Sequence, residues 1–421
     1  MSYSRRRPIG QVFSVRKGKG FYRIFSLGIF RYFADKCPFK SLVLNKVNDS
    51  PWQNRLTRFL ERVMKNPVWA LLIVLALAIR WAALYPEWVE QYYSKGFFPI
   101  FSEWQRRLLG WVPFSVGDLF YGFLVLLVLL KTYALLRDLY RKRVDRAYWV
   151  NGARQFIFLF LVIYVFFNLL WGLNYSRSGI GQQLQLFPDS VSVNELDRLS
   201  QALLAKASAN RHLLLAEERL RRIKKRSLFS SSMQVYLLGD RPYALASHAS
   251  ISIKPSLYSY LGNYLGFQGY YNPFSGEAQV NTTIPVVLQP FVTLHELAHQ
   301  AGYAKESEAN FVGYLLGKDH PDPLFRYSVY LELFRYTQSA LYRQDSTKAK
   351  DLYKRVPDAI KSDLQEIRRF YLAYQTPVER IIMKGYDYFL RANDQPQGTR
   401  SYSQVVGWVV AYVRKEGMQA L

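Results

Sequence analysis

Three apolar runs stand out in the first half of the chain: residues 68–84, 119–136 and 156–173. A helix of about 20 mostly apolar residues crosses a bilayer core, so the pattern predicts three N-terminal transmembrane helices. Arg80, towards one end of the first run, is long enough to snorkel to the headgroups. Trp111, Tyr121, Trp149 and Trp171 fall near the ends of the runs, as an aromatic belt requires. The runs are too many and too long to be a cleavable leader.

After Asn174 the pattern becomes that of a folded domain outside the lipid, residues 174–421. Ser192-Val193-Asn194-Glu195 is a capping box and opens a helix expected to reach residue 204 and as far as 212. Residues 233–238 and 250–253 alternate or run β-branched and read as strands. Glu277, Ala278, Gln279, Val280 and Asn281 form a third strand candidate, bounded by Asn272-Pro273 and Ser275-Gly276 turns. Further on, residues 324–343, 358–373, 377–391 and 402–414 alternate with Pro and Gly breaks and read as helices. Residues 405–413 are too few to span a membrane and fit a buried helix. The fold class is therefore mainly α, with an α+β domain after the membrane helices and a helical C-terminal half.

Charge adds a direction. The formal net charge of +25 would ordinarily point to nucleic acid, but much of it is local. Residues 137–154 carry Arg137, Arg141, Lys142, Arg143, Arg146 and Arg154 against Asp138 and Asp145. The stretch between the first two runs is more evenly balanced, with Glu87, Glu90 and Glu103 against Lys95, Arg106 and Arg107. Positive residues stay on the cytoplasmic side. Three spans then place everything after Asn174 on the extracytoplasmic face of a bacterial inner membrane, with the bilayer as partner and no nucleic acid. Residues 1–63 are basic and aromatic and suit a membrane surface, or else translation starts at Met64, and residues 64–173 form the membrane domain. The basic run at residues 219–226 reads as a solvated face. A single cysteine, Cys37, excludes a disulfide framework and a cysteine-based metal site.

The chemistry concentrates in Thr293-Leu294-His295-Glu296-Leu297-Ala298-His299-Gln300. Positions i and i+4 share one helix face, so His295 and His299 can present two imidazoles to one metal ion. Glu296 stands beside that face, where a carboxylate can serve as base without occupying the metal. Gly302 can end the helix in the left-handed conformation open to glycine. The chain can then return with Glu306 or Glu308 as third ligand. Glu306 is preferred because Asn310, four residues on, shares its face and could hydrogen-bond a ligating histidine. One Zn2+ is the expected cofactor.

H-E-x-x-H followed by Glu306-Ser307-Glu308-Ala309-Asn310 resembles the zincin metallopeptidases of the two-His-one-Glu kind. The glycine after the second histidine is also similar to metzincins, but their third ligand would fall at Lys305, which cannot ligate. The stretch from Gly269 to Asn281, the apolar N-terminal part and H-E-x-A-H-Q resemble the bacterial membrane family called domain of unknown function 3810, over residues 64–421. The resemblance implies a zincin-like metallopeptidase domain on a membrane anchor, acting on a peptide or protein. It also implies that Glu277, Ala278, Gln279, Val280 and Asn281 form an edge strand to which substrate adds.

In the expected reaction Glu296 takes a proton from water and delivers it to the leaving amine. The developing oxyanion needs a donor. Tyr303, His248, Arg400 and Tyr402 are the candidates, with Tyr402 also a candidate substrate contact. His248 and His320 are alternative ligands. The other reading is a non-catalytic membrane sensor or assembly factor that keeps the metal-binding fold.

Overall fold

The computed structural model describes residues 66–214, 225–237, 250–398, 400 and 404–421. Residues 1–63, Met64, Cys37, the run at 219–224, His248 and Tyr402 lie outside the described residues. The chain divides into two compact units, Met1–Ala70 and Leu71–Leu421, and nearly all of the described residues belong to the second.

Helix α1 (Pro67–Ala82) ends where Pro86 forces Tyr85 out of the helical region, at φ −120° and ψ 81°. Helix α2 (Pro86–Leu109) follows, with a π-helical stretch at Val89–Phe97. Charge made this stretch look like a loop, but its ion pairs serve packing. Glu90 is buried and takes both Arg177 Nε and Nη2 at 2.7 Å. Helices α3 (Val116–Tyr140) and α4 (Arg146–Leu170) are each long and apolar enough to cross a membrane. Their starts are fixed by side chains: Ser115 accepts from Asp118 N, and Asp145 from Tyr148 N. The α1–α2 pair passes the same test only if taken as one span bent by 104° at its break. The expectation of three separate spans is thus corrected to two, or up to three if the bent pair counts as one.

Short helix α5 (Gly179–Leu184) leads to α6 (Val193–Leu213), whose capping box of Ser192 and Glu195 is present in both directions. Residues expected to form a strand from 233 instead belong to helix α7 (Lys225–Leu237). Their burial explains it: Leu228, Ser232, Val235 and Tyr236 are buried at helical spacing. The sheet has strands β1 (Ile253–Pro255), β2 (Gly269–Asn272) and β3 (Glu277–Val280), with helix α8 (Ser259–Leu265) between the first two. Only Ile253 of the strand expected at 250–253 belongs to β1. The order is β1-β3-β2, parallel between β1 and β3 and antiparallel between β2 and β3.

Helix α9 (Gln289–Gln300) packs on the sheet and on α10 (Glu306–Gly317), with every residue of both buried. The remaining helices are α11 (Pro323–Gln344), α12 (Ser346–Lys354), α13 (Asp358–Tyr374), α14 (Pro377–Ala392) and α15 (Val405–Glu416). Helix α12 is one the sequence did not announce, while α15 is buried through Val405, Val406, Val409 and Val410 as its length implied. One core joins α6, α9, α10, α11 and α15, with Leu203, Leu294, Phe311, Leu331 and Val409 all inaccessible to solvent. The described chain is mainly helical.

Candidate metal centre

Helix α9 begins in an apolar stretch and carries its polar residues inward, which is costly unless they are matched. His295 and His299 are both buried, their rings edge to face at 4.6 Å between centroids. Gly302 ends this segment at φ +88°, in the left-handed region where a side chain would be strained. The chain turns there, and Glu306 opens α10 facing the histidines. Its Oε2 lies 3.3 Å from His295 Nε2 and 3.4 Å from His299 Nε2.

These three groups could hold a metal ion: their ligand atoms all lie within 4.8 Å of one another. A tetrahedron with bonds of about 2.0–2.1 Å has edges of about 3.3 Å, close to the two carboxylate–imidazole separations. His299 Nδ1 donates to Tyr303 O at 2.8 Å, which leaves its Nε2 as the free lone pair. Glu306 Oε2 is buried without a hydrogen-bond donor, while Oε1 accepts from Tyr386 Oη at 2.6 Å. The residues fit a zinc ion. Asn310, buried one turn further along α10, contacts His295 and favours its protonated form. Glu308 turns elsewhere, accepting from Ile180 N at 3.3 Å with Lys305 at 3.9 Å.

Burial pushes the Glu296 carboxyl up to about 8, with the Glu306 charge adding to the shift. Burial alone would also raise Glu306, but His299 and His295 opposite hold it well below the usual carboxylate range. Burial works against a charged His299, yet the facing Glu306 carboxylate brings it to about 9. His295 is lowered by burial and by its neighbour His299. Charge in this centre is thus strongly coupled.

Glu296 lines a cleft of about 470 Å³ together with His295, Gly269, Met383 and Tyr386. Gly269 is required by close approach, since a Cβ there would lie 2.5 Å from Glu296 Oε1. Gln300, the last residue of α9, ties the helix to the sheet region by donating to Ser252 O at 2.8 Å and Gly276 O at 2.9 Å.

Other expectations are corrected. Strand β3 is the central one, paired on both sides, so Glu277, Ala278, Gln279 and Val280 offer no free edge to a substrate. Glu277 is instead a buried carboxylate held by Lys254 Nζ at 2.6 Å and Gly117 N at 2.8 Å. Asn281 is buried against Asn263. Tyr303 points away from the metal ligands, its hydroxyl on Gln183 and its ring under Arg177. His320 stacks on Phe325 outside the cluster, and Arg400 is exposed. Trp171, expected in an aromatic belt, is buried, and its indole donates to His299 O at 2.9 Å.

Tyr386 and Trp171 are the residues that sequence reasoning missed. Neither has a local spacing signal, because Tyr386 reaches the centre from the middle of α14 and Trp171 from the end of α4. The family described as protein of unknown function (DUF3810) matches residues 93–410, from α2 to α15. No curated protein and no solved structure matches the chain. The match spans most of the chain and takes in α3, α4, α9 and α10, so the chain belongs to the DUF3810 family.

Proposed function

We propose that this chain is a membrane-anchored, zinc-dependent metallopeptidase with a zincin-like site. The observation that carries the reading is the convergence of His295, His299 and Glu306 on one point, with Glu296 beside them on an open cleft. Zinc bound there supplies a Lewis acid that polarises a carbonyl and acidifies water. The chain's own residues do the rest. His299 is oriented by the Tyr303 carbonyl and Glu306 by Tyr386. Glu296, on the cleft beside the two histidines, is placed to take a proton from water and return it to the leaving amine.

An extended peptide would pair not with β3 but with the outer side of β2, which has no partner strand among the described residues. The backbone at Gly269 and Tyr270 borders the cleft there, and main-chain pairing suits such a substrate. The loop joining α3 to α4 is basic, with Arg141, Lys142 and Arg143, and belongs on the cytoplasmic side. The start of α3 and the end of α4 then face the extracytoplasmic side of a bacterial inner membrane, and the metal centre with them.

The test is hydrolysis of a mixed peptide library by the purified full chain, compared with Glu296→Gln. Cleavage should fall by about 10²–10⁴-fold, the usual contribution of a positioned acid–base group, with zinc content unchanged. Undiminished cleavage by the variant, or none by the parent chain with zinc bound, would favour the non-catalytic sensor.

A further inference from the structure

Helix α14 is amphipathic yet has one buried residue, Leu390. Val378, Ile381, Ile382, Tyr388 and Phe389 recur at helical spacing on one side, with Ile381 and Tyr388 exposed by 70% and 74%. Arg380, Lys384, Asp387 and Arg391 share a separate side, and Met383 and Tyr386 turn to the cleft. Segment 257–264, around α8, repeats the pattern: Leu257, Tyr260, Leu261 and Tyr264 are exposed at i, i+3, i+4 and i+7. The two helices are neighbours, since a Cβ on Gly266 would lie 3.1 Å from Glu379 Cγ.

Both touch the membrane helices, and at the same level. Leu257 N donates to Asp118 Oδ2 at 2.7 Å and Tyr258 Oη to Asp118 O at 2.8 Å, in the first turn of α3. Phe389 meets Phe167, in the last turn of α4, with ring centroids 6.0 Å apart. Consecutive spans joined by a short loop place the start of one and the end of the next on one face of the bilayer. The two apolar surfaces are therefore continuous with helices built to sit in lipid. An amphipathic helix at that boundary sinks its apolar face about 5–10 Å into the headgroup and acyl region. The cleft reaches these two helices, lined by Leu265 and Phe267 at the end of α8 and by Ile382 and Met383 of α14.

We propose that α8 and α14 lie in the bilayer interface, so that the cleft opens at the lipid surface and receives a polypeptide segment that is itself membrane-bound. The docking to lipid stands on its own; the substrate class rests on the peptidase reading. A water-borne peptide would have to cross the headgroups to reach Glu296, whereas an anchored one is delivered by diffusion in the plane.

The full chain in lipid nanodiscs tests both parts. In a Cys37→Ser background, a fluorophore on Ile381→Cys or Tyr388→Cys should be quenched severalfold more by lipids labelled near the headgroup than one on Asp351→Cys of α12. Equal quenching at all three positions overturns the docking. Next, one peptide sequence is offered free and with a lipid anchor. The anchored form should be cleaved on the order of 10²-fold faster, the gain expected when binding becomes effectively intramolecular. Ile381→Lys with Tyr388→Lys should remove that preference while sparing cleavage of the free peptide. Equal cleavage of the two forms overturns the substrate class. Cleavage of neither refutes the peptidase reading, and the quenching result still decides the docking.

Discussion

Glycine at 269 is dictated by a carboxylate on another element: Glu296 Oε1 and Cγ would lie 2.5 and 2.8 Å from any Cβ placed there, with Gln279 O at 2.9 Å behind. Gly269→Ala should push Glu296 aside without touching a metal ligand. Displacing a reacting group by about an ångström costs on the order of 10²-fold, so peptide cleavage should drop by that much at unchanged zinc content. Tyr386→Phe removes the hydroxyl on Glu306 Oε1 and should weaken zinc binding by about 10–100-fold, as loss of a ligand's outer partner does; competition with a chelator measures it. The two histidines and Glu306 were legible because helix periodicity and one glycine break fix their relation within a dozen residues. Tyr386 was not, since 80 residues separate it from the carboxylate it contacts. Tyr303 was a candidate oxyanion donor, but its ring goes to Arg177, a partner that only the tertiary fold supplies.

At the scale of elements, the turns that bound 277–281 mark a strand but cannot say whether it is central or at an edge. Both faces of β3 turn out to be buried, and Glu277 joins it to the start of α3 through Val116 N and Gly117 N and pairs with Lys254 of β1. Removing one partner of a buried ion pair typically costs about 3–5 kcal/mol, so Glu277→Ala should destabilise the chain by about that much in denaturant unfolding. The helix ends were more readable, because capping is local. Glu195 carries the capping box of α6 and bonds Arg414 of α15 at 2.8 Å. Its carboxyl is lowered to about 2, first by Arg414 and then by Ser192. Such a group stabilises the fold above its unfolded value near 4.5 and loses that effect as pH falls towards 2. The stability gap between the parent chain and Glu195→Gln should thus be present at pH 7, small because the pair is exposed, and gone near pH 2. Helix α7 shows the opposite limit: residues 233–237 look strand-like locally, and burial of Leu228, Ser232, Val235 and Tyr236 at helical spacing goes with a helix.

For the whole molecule, hydropathy identified α3 and α4, whereas residues 68–84 count towards a span only if α1 and α2 are taken as one pair bent by 104°. A composition window sees apolar residues there, not the break at Pro86 or the direction in which they continue. The proposed orientation depends only on the α3–α4 hairpin. A reporter enzyme active only outside the cytoplasm should therefore be silent when fused at Arg143 and active when fused after Leu421; the reverse result would turn the molecule over. The arrangement matters because the end of α4 and helix α9 are held together by the bond from Trp171 to His299 O. Most directly decisive is the metal itself, measured as zinc content and X-ray absorption on the purified full chain. About one zinc per chain is expected, bound by two imidazole nitrogens with oxygen completing the set, and lost in His299→Ala and in Glu306→Ala. A chain that carries no zinc after zinc-supplemented growth, or a signal without imidazole, would contradict the account.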